Sequence, residues 1–434
     1  MGAVISSTEQ HEFRTFPARL LGDEPDAATR GWLEADVIGF LGHKPTPAHL
    51  RAMAGYLVSD GQTLAGVYDL EGPEQALHGD IPVATFASFE QPLTVSPGVQ
   101  LAAHLISSIT VRATHRRQGI LRRMMTDDLT RAKEAGYAVA ALTASEATIY
   151  RRFGFGAASY VHDIAVTTDS RFALTSTPSG RCELVDPGSI PALAPAVFER
   201  FHRSQPGSIG RHSQYGDRVS GRLTEEGDED RGRRAAVHYD EAGTVDGYVT
   251  YRFAGWESKP HTIAVNDLVA ATPDAYLALW EFLASIDLST RVTFTSASPD
   301  DVLRYALVDP RVVQVTDIED RIWLRILDPI AAFQARHYRA DGSVTFRVSD
   351  ELGFAEGSYR LTTKSGDGIV ERLGDESAVD LHLDAWVLAA LYLGGTDPRV
   401  TAAARVLVEH TPGAASTMAE LLAPSATVYA NTYF

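Results

Sequence analysis

The chain of 434 residues contains one cysteine, Cys182. An intramolecular disulfide, a Cys-x-x-Cys redox pair and a thiolate metal centre within one chain are thereby excluded, and no metal is expected. No apolar run approaches the roughly 18 residues of a membrane span. Residues Met1 to Pro17 carry Glu9, Glu12 and Arg14 and no continuous apolar core, so they do not read as a signal peptide. The cytoplasm is the expected location, with leaderless export left open. Two phosphate-binding patterns are missing as well: neither G-x-x-x-x-G-K-[ST] nor a G-x-G-x-x-G opening a helix after the first strand occurs. Basic residues are also in short supply, 39 against 56 acidic ones, for a net charge of −17. A nucleic-acid face needs clustered Lys and Arg, so nucleic acid is not an expected partner, nor is a membrane. The acidic balance suits cationic ligands and equally suits solubility alone.

Ile109-Thr110-Val111 ends an apolar strand, and Arg112-Ala113-Thr114-His115-Arg116-Arg117-Gln118-Gly119 leads into a helix beginning Ile120-Leu121-Arg122-Arg123. That layout aims free backbone N–H groups and the positive end of a helix dipole at one spot, a place for a pyrophosphate. A side chain at Gly119 would hold phosphates off the backbone. Arginines add charge-assisted bonds. The run Arg116 to Leu121 resembles the acetyl-CoA motif [QR]-x-x-G-x-[GA] of Gcn5-related N-acetyltransferases (GNAT). Leu121 stands where a small residue is usual, which predicts less room for the phosphates. A helix start with exposed arginines that binds nothing fits the loop equally well.

The spacing predicts strands over residues 62–69, 83–89 and 101–111, a helix over 120–135 closed by Gly136, a strand over 137–142 and a short helix and turn over 149–155. A second unit repeats this order, with strands over 234–239, 248–256 and 261–270 and a helix over 273–285. There Ala271-Thr272-Pro273-Asp274 replaces the glycine turn. The loop Ser204 to Gly210 is placed to line a cleft, and Glu225 to Arg234 reads as a solvated loop. A third composition starts near Trp323. It has a helix over 330–338, strands over 344–349, 357–363 and 368–372, an apolar helix over 381–394, and further helices over 401–409 and 418–422. Their sparse charge predicts packing against something larger.

Amine acetylation needs a base for the ammonium, a donor for the carbonyl, and an acid for the departing thiolate. Tyr150, on the first turn after the strand ending at Leu142, suits the acid, and it suits a core tyrosine equally. The end of the sequence, Asn431-Thr432-Tyr433-Phe434, carries two aromatics where frayed polar residues are usual. A buried α-carboxylate there is a base; the alternative is a terminus packed for stability.

Taken together, Ser107 to Val111, Thr114 to Arg122, Ala144-Ser145-Glu146, Ile149 to Gly156 and the terminal Phe434 resemble the Eis (enhanced intracellular survival) family of acetyltransferases. The resemblance implies an α/β protein with mixed sheets: two tandem GNAT-like domains followed by a sterol-carrier-protein-like α/β domain. The expected limits are 1–158 for the acetyl-CoA domain, 159–316 for a second domain without the phosphate loop, and 317–434 for the third. It implies a homohexamer that uses acetyl-CoA to acetylate amines of aminoglycosides, with protein lysines or polyamines as the alternative acceptors. Ile109, Thr110 and Val111 would then hold the pantetheine arm through backbone groups. Arg117, Gln118, Gly119, Ile120, Leu121 and Arg122 would cradle the pyrophosphate, and Ser145 and Glu146 would touch CoA further along. Tyr150 would be the general acid and the Phe434 carboxylate the general base. For the acceptor, the i, i+4 spacing of Trp32, Asp36 and Phe40 puts them on one helix face with Glu34 nearby. Asp36 is the preferred substrate residue and Trp32 the second; a core role serves Trp32 and Phe40 equally. A different class of reading is a lipid-binding protein with a vestigial first domain.

Overall fold

The computed structural model describes residues 11–71, 75–77, 79–224 and 227–434. Parts of the loops 71–82 and 225–234 therefore lie outside the described residues.

The first unit is built from β1 (His11–Pro17), α1 (Ala27–Gly39), α2 (Pro47–Ser59), β2 (Thr63–Asp69), β3 (Ala84–Ser96), β4 (Val99–Val111), α3 (Ile120–Glu134), β5 (Val139–Leu142), α4 (Ala147–Arg151) and β6 (Gly156–Ala157). Local chemistry starts the helices. Asp26 accepts the Thr29 N–H at the head of α1, and Thr46 accepts the His49 N–H ahead of Pro47 in α2. Ile120, Met124, Met125, Leu129 and Ala132 form the buried stripe of α3. Strands β3 and β4 are longer than their hydrophobic pattern predicts, because they form one hairpin about Pro97-Gly98.

The second unit follows with β7 (Tyr160–Thr167), β8 (Arg181–Val185), α5 (Ile190–Ser204), β9 (Arg234–Tyr239), β10 (Val245–Phe253), β11 (Thr262–Ala270), α6 (Pro273–Ala284), β12 (Arg291–Ala297) and β13 (Val313–Asp320). Its sheet runs β8-β9-β10-β11-β12-β7-β13. The next strand, β14 (Trp323–Ile326), returns to the first sheet, whose order is β1-β2-β3-β4-β5-β14-β6. There it pairs with Val139–Leu142 on one side and with Gly156 and Ala157 on the other. The first sheet is thus completed by a strand that follows the second unit in the chain. A boundary at 316/317 cuts through β13, and the first unit needs residues 323–326 as well as 1–158. Hydrophobicity marks a strand; which strand it pairs with is a tertiary fact.

The third unit contains α7 (Pro329–Gln334), β15 (Gly342–Ser349), β16 (Gly357–Lys364), β17 (Asp367–Leu373), β18 (Leu381–Asp384), α8 (Ala385–Leu391), α9 (Pro398–Ala403), β19 (Leu407–Glu409) and α10 (Ala414–Leu422), with sheet order β17-β16-β15-β18-β19. Two expected helices are corrected. The run 381–394 begins as a strand, since Leu381 and Leu383 alternate inward and pair beside β15, and the helix starts only at Ala385. The run 401–409 leaves its helix at Ala403 and ends as β19 against β18. Phe333, Phe346 and Tyr392 fill this unit's interior and share one continuous core with Phe89, Leu93, Leu105 and Val139 of the first sheet. That shared core is the larger partner its sparsely charged helices need.

Gly156 lies where α8 touches the first sheet: a Cβ there would stand 2.0 Å from the Trp386 carbonyl oxygen. Gly156→Ala should lower the thermal midpoint through a cost of about 2 kcal/mol of overpacking. Gly55→Ala, inside α2 with nothing within 4 Å, should raise it instead. Paired melting curves read both signs.

Candidate active site

Strands β4 and β5 run parallel and pair only over Ala103–Leu105 against Val139–Ala141. Beyond them β4 continues on β3 as far as Val111, so its other edge is unpaired through Ile109, Thr110 and Val111. A bulge drives the parting. Two residues of β4 stand opposite one of β3 between the pairs Thr85–Thr110 and Ala87–Ser107, and Ser108 takes a φ of +54°. The Thr85 hydroxyl donates to the Ser108 carbonyl at 2.9 Å and pins the bulge. The free edge offers main-chain donors and acceptors to an extended chain carrying amides, as pantetheine does.

At the end of that edge the loop into α3 has two positive-φ positions, Arg117 at +65° and Gly119 at +79°. Gly119 is the N-cap of α3, no side chain caps the helix, and its first turn holds no acid. The first-turn N–H groups therefore face outward uncompensated beside Arg122, as anion binding requires. Gly119 is demanded by its backbone angle, since a Cβ would meet nothing within 4 Å. The Leu121 side chain packs against the first unit's core, so it leaves the loop open after all. These residues fit a pyrophosphate. Gln118 and Arg122 are exposed around the loop, and Ser145 and Glu146 are exposed at the start of α4. The equivalent helix of the second unit, α6, is closed: Thr272 accepts the Ala275 N–H, and Asp274 occupies the first turn.

Tyr150 projects from α4 into the first core, 6% exposed, with its ring edge-on to Phe155. Burial raises its phenol above the usual value, the Ser145 hydroxyl opposes that, and the Tyr433 phenol lies close enough to act on it electrostatically. The tail reaches the same place. Thr143, directly after β5, donates its hydroxyl to the Phe434 carboxylate, and the Phe434 ring stands edge-on to Phe89 at 6.1 Å.

Phe434 also closes a cavity of about 180 Å³ whose walls include Asp36, Tyr56, Asp60, Ser108, His212 and Arg218. Burial pushes the Asp36 carboxyl up to about 7 against hydrogen bonds from Ser108 and Thr85, and its Oδ1 is buried without a partner. Asp60 accepts the Ser213 N–H at 2.8 Å through Oδ1, while its Oδ2 is buried and unpartnered; burial raises this carboxyl too. Burial and the arginines 218 and 211 hold His212 neutral, with a pKa lowered to about 4, and its Nδ1 has no partner. Of the two expected acceptor residues, Trp32 also lines the cavity, while it is 1% exposed and donates its indole N–H to the Ala65 carbonyl at 2.9 Å. Phe40 does not share the Asp36 face; it caps α1 and is exposed. Asp60, His212 and Arg218 gave no signal in the sequence, Asp60 because Asp-Gly reads as a turn, the others because they belong to the second unit.

A bulged, parting strand pair followed by an anion-ready helix defines an N-acetyltransferase of the GNAT class. The pattern described as "Acetyltransferase (GNAT) domain" matches residues 42–158 and again 207–326, and "Sterol carrier protein domain" matches 329–431. An uncharacterized N-acetyltransferase of Streptomyces avermitilis is 36% identical over 92% of this chain and 95% of its own. N-acetyltransferase Eis of Mycobacterium tuberculosis is 34% identical over 73% of this chain and 76% of its own. The crystal structure of Eis1 from Mycobacterium abscessus superposes with a TM-score of 0.80 at 28% identity, covering 98% of this chain and 100% of that one. The chain belongs to the Eis family of N-acetyltransferases.

The buried Asp36 carries a measurable cost. Holding a carboxyl at about 7 instead of 3.8 disfavours its ionised form by about 4 kcal/mol. The penalty is absent below the unfolded value, grows as pH rises, and levels off above about 7. Asp36→Asn should therefore melt higher than the parent, with an advantage that widens from pH 4 to pH 7 and then stays constant.

Proposed function

We propose that the chain transfers the acetyl group of acetyl-CoA to amines of aminoglycoside-like, polycationic small molecules, at several positions where several amines reach the cavity. The observation that carries this reading is the acceptor cavity itself. Asp36 and Asp60 each keep a buried oxygen without a donor, and neutral His212 keeps a ring nitrogen without a partner. Unpartnered buried acceptors are costly in an empty protein and are relieved by a ligand rich in N–H groups.

Acetyl-CoA supplies the activated acyl thioester. The loop at Arg117 and Gly119 and the unpaired edge at Ile109–Val111 hold it, with Ser145 and Glu146 flanking its course. Asp36, ionised above about pH 7, holds the acceptor ammonium within the cavity. The Phe434 carboxylate, fixed by the Thr143 hydroxyl, takes the proton that the attacking amine must lose. The Tyr150 Oη, kept protonated by burial, holds a proton for the leaving sulfur. Homohexameric assembly belongs to the same family reading, and sedimentation measures it.

Incubation with acetyl-CoA and, separately, kanamycin, a polyamine and a lysine peptide tests the acceptor class. Turnover of the aminoglycoside with more than one acetyl added is expected; turnover of the polyamine or the peptide alone overturns it. Tyr150→Phe should lower kcat by about 100-fold with unchanged acetyl-CoA affinity, read by steady-state kinetics and calorimetry. A C-terminal extension beyond Phe434 should be as damaging, because it converts the carboxylate to an amide.

A further inference from the structure

The second sheet repeats the parting of the first. Strands β11 and β12 pair in parallel over Thr262–Val265 against Arg291–Phe294 and then separate. Its helix start is capped by Thr272 with Asp274 in the first turn, unlike the open start of α3. The gap is crossed by the tail of the chain. The Tyr429 hydroxyl donates to the Ser296 carbonyl on β12, and the Asn431 amide donates to the Leu268 carbonyl on β11 at 3.5 Å. The tail thus holds both walls of the gap. Further bonds fix it from the side: the Tyr429 N–H donates to the Pro206 carbonyl at 2.9 Å, the Tyr215 hydroxyl to the Asn431 carbonyl at 3.0 Å, and the Thr432 hydroxyl to the Ile209 carbonyl at 3.1 Å. Ala430 and Thr432 are fully buried. Gly207 makes room, with a φ of +87° and a position where a Cβ would stand 2.8 Å from Val428 Cγ1 and 3.2 Å from the Tyr429 nitrogen.

We propose that the strand gap of the second unit, the counterpart of the cofactor gap in the first, is a receptor for the chain's own tail, and that Tyr429 and Asn431 are positioning residues for the Phe434 carboxylate. The proposal rests on the reading of that carboxylate as the base. Asn431 lies three residues before it, so a bond lost at the gap is felt at the base as displacement. Displacement of about 1 Å can cost 100-fold in rate. The second unit has thereby exchanged a cofactor for a segment of polypeptide as the occupant of the same architectural gap.

The test uses the full chain. Tyr429→Phe removes one hydroxyl, Asn431→Asp keeps the shape and removes the donor, and Gly207→Ala presses on the tail from the second unit. Each should lower kcat about 10- to 100-fold, leave the acetyl-CoA Kd within about twofold, and move the acid limb of the kcat–pH profile. A role in folding alone would leave that limb in place. Hydrogen exchange at the Tyr429 amide should quicken in all three. Unchanged kcat in Tyr429→Phe and Asn431→Asp, in a protein whose C-terminal extension abolishes turnover, overturns the receptor and leaves the carboxylate base standing. Full turnover in the extended chain overturns the base; unchanged exchange at Tyr429 in Gly207→Ala then overturns the receptor as well.

Discussion

Parallel pairing between β4 and β5 lasts for three residues, and the free strand edge, the open helix start and the cavity at Phe434 lie around the place where it stops. A strand that loses its neighbour must satisfy its backbone elsewhere or leave it available. Here the bulge at Ser108 turns β4 away while β3 holds its other side, so the free edge is rigid without being paired. The same bend brings Ser107 and Ser108 into the wall of the cavity at Phe434. One backbone irregularity therefore opens a strand edge and shapes a cavity wall at once.

The second constraint is the length of the path that the tail takes. It leaves the third unit after α10, passes the loop 205–210 of the second, and ends against Thr143 of the first. Each unit contributes to the proposed site: the first its strand edge, helix start and Tyr150, the second His212 and Arg218, the third the chain end. The inserted strand β14 and the shared core hold the units together, since the first sheet cannot be completed without a segment that follows the second. A sterol-carrier-like unit whose interior is filled by Phe333, Phe346 and Tyr392 acts in this arrangement as the mount of the tail.

Electrostatics at the site run against stability. Asp36 and Asp60 are buried with an oxygen apiece unpartnered, and His212 is held neutral among arginines. An apolar side chain at any of these positions would pack more cheaply.

Much of the site was legible in the sequence because it is local. The phosphate loop needs a left-handed glycine between a strand and a helix, and Arg116 to Arg122 spell that out within seven residues. Asp36 stands out as a carboxylate on an otherwise apolar helix face. The terminal aromatics point to an end that returns to the fold, although the buried residues there are Asn431 and Thr432, while Phe434 is half-buried and Tyr433 is exposed. The sequence also marked the repeated order of strands and helices, with its missing turn at Ala271 to Asp274. Tertiary structure alone decided the rest. It put Trp32 in the core, made strands of Leu381–Asp384 and Leu407–Glu409, sent β13 and β14 to different sheets, and brought Asp60 and His212 to one cavity. The physical reason is one of range. Backbone angles, capping and periodicity are fixed by neighbours in the chain, whereas strand partners and cavity walls are fixed by residues as much as 291 positions apart, the separation of Thr143 and Phe434.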